Sequence, residues 1–378
     1  MDHARRNIIL NLCFILAFGL LMLKSASVAR AEFRHGDGAY FLQSQAIWIG
    51  LGLALMAIFS RVDYHQYQRH AKSLLLASIL LLAILVLPFT KSIAPVINGV
   101  RRWIVYPFTF QPSEITRPAL VIWCATTILN KGSRIQEFKV GILPIALVIS
   151  FVLGLIAIEP ALSSTILTLA IVMVVIFLSG ARPKHLLYML LVIGAFAYLG
   201  VSIKEGSMKD YWVDRIEDFW NPNQELLEGN YQSNQSQIGI GSGGWTGRGI
   251  GNSFQKHFFL PEPHTDFIFA VIGEELGFLL TVVFLCVFSL LGYWGYRVMV
   301  ACRDLYGFLL VGGILAMIFI PLLINVAINL GMLPAAGVGL PLVSYGGSSI
   351  VTLLVGIGII LNVSGHSRIG TGYLKEQR

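Results

Sequence analysis

The sequence predicts an all-α integral membrane protein, and two observations carry that prediction. Charged residues make up 12% of the 378 residues, about half the fraction usual in soluble proteins, while hydrophobic residues make up 56%. Apolar stretches recur about ten times, each near the ~20 residues that a helix needs to cross a bilayer. These observations exclude a soluble enzyme and a disordered protein. The net charge of +7 is spread too thinly for a nucleic-acid footprint, so we expect no nucleic acid among the partners.

About ten transmembrane helices are predicted in order, without a fixed-period repeat, so residues 1–378 form a single polytopic membrane domain. The spans are 8–29, 43–60, 73–90, 114–130, 140–158, 162–180, 185–202, 267–296, 305–330 and 342–363. Uninterrupted apolar stretches favour helices over the alternating strands of a membrane barrel. Arg5-Arg6, the first apolar stretch and Ala29-Arg30-Ala31 imitate a cleavable signal peptide, but the stretch is long for a signal core, which favours a retained helix.

The distribution of Lys and Arg predicts the threading. With a cytoplasmic N-terminus, the inner segments hold 15 of the 27 Lys and Arg residues and five of the 20 acids. Short cytoplasmic loops are the basic ones in membrane proteins. We therefore predict cytoplasmic N- and C-termini and one long extracytoplasmic loop, about residues 202–265, between helices 7 and 8.

The end of this loop holds the densest group of titratable side chains. Asp266 lies where the polar loop becomes an apolar helix, which predicts a place at the outer membrane edge. Three polar residues precede it: Glu262, His264 and Thr265. Glu274 and Glu275 lie two turns further along, where a carboxylate is costly and normally faces a cavity or a basic partner. An aqueous catalytic or ion-binding cleft is the favoured interpretation, and a helix N-cap is the alternative for Asp266.

Further polar residues are predicted at the same outer face and are candidates for substrate binding. They are Lys24, Arg102, Trp103, Ser113, Glu114, Arg248, Ser344, Gly346, Gly347 and Ser348. Glu114 and Arg117 share a helix face and are predicted to pair. The glycine-rich run 239–253 exposes backbone N–H groups that suit a phosphate, with a flexible hinge as the alternative. The Gly/Pro/Ser backbone of 331–349 is typical of a cavity lining in a membrane, and a simple turn is the alternative.

These residues resemble one family strongly: the SEDS proteins of bacterial shape, elongation, division and sporulation (FtsW, RodA and SpoVE). The resemblance covers nearly the whole chain. Its most specific parts are Arg102-Trp103, Gln111-Pro112-Ser113-Glu114, Pro261-Glu262-Pro263-His264-Thr265-Asp266 and Glu274-Glu275. Within the family the chain looks more like FtsW, the division member, than RodA. One departure stands at Ala161, where the family usually has an aspartate, so the role of that carboxylate cannot be carried over.

The resemblance implies a ten-helix peptidoglycan glycosyltransferase that polymerises lipid II at the outer face of the bacterial inner membrane. It implies a class B penicillin-binding protein as the transpeptidase partner, alongside other divisome or elongasome membrane proteins. Asp266 matches the family's essential aspartate and Trp103 its important loop tryptophan. We predict Asp266 as the general base, and Glu262, His264, Thr265, Glu274 and Glu275 join the substrate-binding candidates.

The predicted chemistry uses no organic cofactor. Arg102, Lys24, Arg248 and the glycine run are candidates to stabilise the pyrophosphate leaving group, and a divalent cation such as Mg²⁺ or Mn²⁺, with unknown ligands, is the alternative. A lipid II flippase is the rival function, a RodA-like elongation polymerase the rival role, and a division scaffold the third hypothesis. Transporters place coupling charges near the bilayer midplane, whereas the polar residues here gather at one outer edge, which favours catalysis.

Overall fold

The computed structural model of the protein describes residues 2–87, 90, 92–96, 101–105, 109–159, 162–203 and 228–366. Eleven α-helices form the fold of these residues. They are α1 (Asp2–His35), α2 (Tyr40–Phe59), α3 (His65–Val86), α4 (Pro112–Lys131), α5 (Leu143–Ile158), α6 (Leu162–Leu178), α7 (Pro183–Ile203), α8 (Glu228–Gly243), α9 (Ile268–Val300), α10 (Leu305–Asn329) and α11 (Gly347–His366). The only extended pairing in these ranges is one bridge between Ile104 and Phe110. The all-α prediction is confirmed.

The ten predicted apolar segments correspond to α1–α7 and α9–α11. Seven described helices are long and apolar enough to cross a membrane, namely α1, α2, α3, α5 with the π-turn Phe138–Ile142 before it, α9, α10 and α11. Helix α6 is equally apolar but shorter. The multi-pass membrane prediction is confirmed, and the number of crossings stays a prediction.

Two stretches differ from the sequence-based expectation. The last helix begins at Gly347 rather than at residue 342, because Leu342 has a positive φ of 63° and the Ser344 hydroxyl accepts from the Leu340 N–H (2.7 Å). The predicted irregular loop contains α8, a polar helix that packs on α9. Its Ser236 hydroxyl donates a hydrogen bond to the Asn329 carbonyl oxygen (2.9 Å). Residues 204–227 of that loop lie outside the described residues.

Helices α10 and α11 form the buried centre, and α2 packs closely against α11. Small residues allow this approach, because a Cβ added at Gly358 would lie 2.6 Å from the Met56 carbonyl oxygen. The opposite face of α2 exposes large apolar side chains, including Ile47 at 72% and Ile58 at 55% exposure. Such a face suits lipid rather than water.

Helix α9 is broken at Gly277, which has φ +71° and ψ −177°. Four backbone hydrogen bonds of 2.9–3.2 Å join the two sides of the break to residues 244–249. The donor–acceptor pairs are Arg248 N to Glu274 O, Gly249 N to Glu275 O, Phe278 N to Gly244 O and Leu279 N to Trp245 O. The glycine-rich run therefore replaces the hydrogen bonds that the helix loses, as membrane-embedded backbone requires.

Candidate active site

A cavity of about 480 Å³ opens between the start of α4, the first turns of α6 and α11, the middle of α10, and the segments before α9 and α11. Nine of the sixteen predicted site residues line it: Arg102, Trp103, Glu114, Glu262, Thr265, Asp266, Ser344, Gly346 and Ser348. The volume suits a sugar-sized group rather than a whole lipid-linked substrate. The structure thus brings residues from distant parts of the chain around Asp266.

Asp266 is not a helix cap. Helix α9 begins at Ile268, its N-cap position is Phe267, and no side chain caps it, so the N-cap interpretation of Asp266 is wrong. The carboxylate lies against Gly337, where an added Cβ would be 3.7 Å from Oδ2. Glycine at this position keeps the cavity open beside the acid.

Two buried asparagines of α10 hold the Asp266 backbone. Asn325 Nδ2 donates to the carbonyl oxygens of Asp266 (2.7 Å) and Val338 (2.6 Å), and Asn329 Nδ2 donates to Asp266 O (3.2 Å). Asn329 Oδ1 also accepts from the Ala270 N–H in the first turn of α9 (3.1 Å). Sequence reasoning missed both residues, although two amides at i,i+4 in an apolar membrane helix are a recognisable sign of an internal polar contact.

The segment before α11 is pinned to the Asp266 loop. The Ser344 hydroxyl donates to the Thr265 carbonyl, and the Tyr345 N–H donates to the His264 carbonyl (2.9 Å). Gln45 of α2 exchanges two further hydrogen bonds with this segment (3.1 and 3.2 Å). Ser344 therefore shapes the cavity wall by holding two irregular segments together.

Arginine–acid pairs surround the cavity. Arg117 Nη1 donates to Glu114 Oε1 (2.8 Å), which confirms the predicted pair. Arg34 of α1, which sequence reasoning did not include, lies 3.2 Å from Glu262 Oε1 and also lines the cavity. Arg102 also lines the cavity. Three guanidinium groups from three separate segments thus share one cavity with Asp266, which suits a phosphorylated ligand.

His264 lies behind the cavity wall rather than in it. Its ring is 2% exposed and packs 4.3 Å from the Phe41 ring, centroid to centroid. Burial lowers its pKa to about 4, although the nearby Glu262 carboxylate acts in the opposite direction. The imidazole is therefore neutral at neutral pH and packs against the wall, while its role in substrate binding stays a prediction.

The family model of FtsW, RodA and SpoVE, described as a cell cycle protein, matches residues 5–369. The chain belongs to this family. Stage V sporulation protein E of Bacillus subtilis (strain 168) is 35% identical over 355 residues, which is 94% of this chain and 95% of that protein. The probable peptidoglycan glycosyltransferase FtsW of Geobacter metallireducens is 35% identical over 358 residues, which is 94% of this chain and 93% of that protein. Several further relatives also carry the name FtsW, consistent with the predicted resemblance to that member.

Solved structures agree with this membership. A chain from work on polymerization and crosslinking by a peptidoglycan synthase complex aligns with a TM-score of 0.76 and 28% identity, covering 96% of this chain and 98% of that one. The rod shape determining protein RodA of Thermus thermophilus aligns with a TM-score of 0.68 and 26% identity, covering 95% and 96%. The fold is that of the SEDS proteins.

In this family member, Glu274 and Glu275 lie outside the Asp266 cavity. Glu274 accepts hydrogen bonds from the Ser253 hydroxyl (2.6 Å) and the Phe254 N–H (3.0 Å). Glu275 accepts from the Ser25 hydroxyl (2.6 Å) and pairs with the buried Lys256 ammonium (3.0 Å). The two acids therefore anchor residues 248–256 to the break in α9, and their role in substrate binding stays a prediction. Lys256 is a basic partner that no sequence pattern had marked.

The other predicted residues occupy separate places. Arg248 Nε is 3.8 Å from Glu274 Oε1, and Lys24 lines a second cavity beside α1. Gly347 lies against the Trp48 ring, where an added Cβ would be 2.5 Å from the nearest ring atom. Ser113 is fully buried and its hydroxyl has no hydrogen-bond partner within the described ranges.

The family departure at residue 161 lies two positions after Glu159, the C-cap residue of α5. Ala161 lies outside the described residues. Glu159, two positions earlier, is buried, and its carbonyl oxygen accepts from Arg102 Nε (3.3 Å). Within the described part of the chain, no group of three or more His, Cys, Asp or Glu side chains is placed to hold a metal ion. The divalent cation stays a prediction, as the alternative to the arginines.

Proposed function

We propose that this chain is a peptidoglycan glycosyltransferase that polymerises lipid II into glycan strands, with Asp266 as the general base. The observation that carries the proposal is the cavity in which Asp266 shares its walls with Arg34, Arg102 and Arg117. The names of the FtsW relatives and the structural likeness to a chain of a peptidoglycan synthase complex support the same reaction.

The proposed reaction forms a glycosidic bond between two lipid-linked sugars. The 4-hydroxyl oxygen of the acceptor attacks the anomeric carbon of the donor, and the bond from that carbon to the pyrophosphate oxygen breaks. The hydroxyl proton passes to the Asp266 carboxylate, and the pyrophosphate lipid leaves with the bonding electrons. A positioned base contributes roughly 10²–10⁴ in rate to such a step.

The arginines supply the charge that the leaving group needs. Negative charge develops on the pyrophosphate as the bond breaks, and preorganised guanidinium groups stabilise it in a cavity of low dielectric. Arg117 and Arg34 each pair with a glutamate, so their charges are partly balanced before substrate binds. Arg102 lines the same cavity, and its Nε donates to the Glu159 carbonyl oxygen (3.3 Å), so all three arginines are candidates for the pyrophosphate.

We also propose where the reaction takes place and with which partner. We place the protein in the cytoplasmic membrane with both termini inside, the Asp266 cavity at the outer face and a class B penicillin-binding protein as partner. We assign it to cell division, with a RodA-like elongation role as the alternative. Transporters also contain broken helices, whose free backbone groups bind ions or substrate. In α9 the backbone groups at the break are hydrogen-bonded to residues 244–249 instead, which favours the polymerase over a flippase.

A lipid II polymerisation gel tests the proposal. Purified protein with its partner should convert lipid II to glycan strands, and Asp266→Asn should lower the rate at least ~100-fold because the amide cannot accept the proton. Asp37→Asn, at an exposed turn, is the matched control and should keep full activity. A parallel arm with EDTA tests the cation. Full polymerising activity in Asp266→Asn would disprove the general-base assignment, and lipid II movement without any polymer would favour the flippase.

A further inference from the structure

A second cavity, of about 830 Å³, lies between the outer half of α1 and residues 250–258 and shares no lining residue with the Asp266 cavity. We call it the α1 groove. Residues 21–33 of α1 and residues 250–258 line it, including Leu21, Lys24, Glu32, Phe33, Lys256 and Phe258. Six of the twelve lining residues have apolar side chains, and the four largest of these six are exposed. The groove therefore has apolar walls with a few charges set among them.

The charges lie in order along one face of α1. Lys24, Val28 and Glu32 are spaced four residues apart, so the two charged residues are separated by roughly 12 Å along the helix axis. Both side chains are exposed, and within the described ranges neither has a hydrogen-bond or ion-pair partner. The ammonium of Lys256 is already paired with Glu275. The groove thus offers one unpaired cation and, nearer the outer surface, one unpaired anion, with the exposed His257 beside them.

The mouth of the groove is held by a strained residue. Phe258 has a φ of +67°, which is rare for a bulky side chain, and its ring packs edge-on against Phe33 at 5.4 Å between centroids. Strain of this kind persists where the surroundings impose it and is typical of binding sites. The contact joins α1 to the 250–258 segment across the groove.

We propose that the α1 groove binds a zwitterionic phospholipid of the phosphatidylethanolamine class. The phosphate would lie at the Lys24 ammonium, the lipid amine at the Glu32 carboxylate, and an acyl chain along Leu21 and the exposed apolar face of α1 below it, which includes Leu10 and Phe14. The order of chain, phosphate and amine along the helix matches the order of apolar, basic and acidic residues. In the threading proposed above, this part of α1 lies in the outer leaflet.

The charges of Lys24 and Glu32 favour this lipid over two other classes of lipid. A purely anionic phospholipid has no cationic group to pair with Glu32, and its net negative charge is repelled by that carboxylate. A polyprenyl pyrophosphate carries at least two negative charges, whereas Lys24 is the one unpaired Lys or Arg among the described residues of the groove. The zwitterion is the ligand whose charges both find a partner.

Native mass spectrometry of the full chain, released from nanodiscs with equal amounts of dioleoyl phosphatidylethanolamine and dioleoyl phosphatidylglycerol, tests the proposal. The wild type should retain the ethanolamine lipid preferentially. Lys24→Ala and Glu32→Gln should each reduce that retention roughly two- to fivefold, the range of a single exposed ion pair. Lys72→Ala, an exposed lysine on α3, is the control and should change nothing. Glu32→Lys should reverse the preference toward phosphatidylglycerol.

Each other outcome overturns the proposal. Equal retention of the two lipids by the wild type would mean that the groove does not recognise the ethanolamine ammonium. Unchanged retention in both Lys24→Ala and Glu32→Gln would place the bound lipid elsewhere. Displacement of the phospholipid by added undecaprenyl pyrophosphate in the wild type, but not in Lys24→Ala, would assign the groove to the lipid-linked substrate instead.

Discussion

Replacing Lys256 with methionine tests whether a buried ion pair holds the break in α9. The Lys256 ammonium lies 3.0 Å from Glu275 Oε1 and 3.2 Å from the Ser25 hydroxyl, and the side chains of the pair are 7% and 0% exposed. Methionine keeps most of the apolar volume but removes the charge. The Glu275 carboxylate would then stay buried with the Ser25 hydroxyl and the Ser253 N–H (3.3 Å) as its remaining donors.

The expected loss of stability follows from that geometry. Removing one partner of a buried ion pair costs about 3–5 kcal/mol, because the other charge is left uncompensated. Since Glu275 keeps two hydrogen-bond donors, we expect the low end, about 3 kcal/mol. The double variant Lys256→Met with Glu275→Leu removes both charges and should recover most of the loss, because apolar replacement of a whole buried pair is often close to neutral.

Unfolding in detergent, followed by intrinsic fluorescence, measures the free energies of wild type, both single variants and the double variant. Lys72→Met is the matched control at an exposed position and should lie within about 0.5 kcal/mol of wild type. The reasoning would be refuted by a loss below about 1 kcal/mol in Lys256→Met. It would also be refuted if the two single losses simply added in the double variant, because two residues in contact are expected to couple.

Three further predictions concern the backbone and the cavity wall. Gly277→Ala should destabilise the protein by about 2 kcal/mol or more in the same unfolding assay. The reason is that φ +71° with ψ −177° suits only glycine, and the new Cβ would lie 2.2 Å from a backbone nitrogen. Gly154→Ala is the control and should leave the stability unchanged, because open space surrounds that position. Asn325→Leu should lower lipid II polymerisation roughly 100-fold by freeing the Asp266 backbone, while lipid II binding measured by pull-down should change far less. The folded-state pKa of His264 is about 4, below its ordinary 6.5, so its contribution to stability should be complete above pH 6.5. That contribution, about 3 kcal/mol in total, should be lost as the pH falls to 4. A His264→Asn variant with the same pH dependence of stability would contradict this prediction.

Much of the site was accessible from sequence because it lies in contiguous motifs. Glu262, Thr265 and Asp266 precede one apolar helix, and the cavity contains all three. Glu274 and Glu275 were correctly expected to need partners, but their direction was not predictable, because the break at Gly277 and the bracing by 244–249 decide which way they face.

Other elements depended on contacts that local sequence does not encode. Helix α8 is polar and contains several glycines, so its intrinsic helix propensity is low, and packing on α9 and α10 stabilises it instead. Arg34, in the last turn of α1, contacts the Asp266 loop more than two hundred residues later in the chain, and only the packing of α1 against α9 brings it to Glu262.

Composition and apolar spacing alone determined that this is an all-α, multi-pass membrane protein, because a bilayer accepts few other ways of satisfying the backbone. The motif around Asp266 determined the family and the predicted catalytic residue. The tertiary structure decided which polar residues share the Asp266 cavity and which serve the broken helix or the α1 groove. The reason is physical: side chains at one membrane level can face different interiors of the bundle, and their direction depends on how helices pack and where their backbones break.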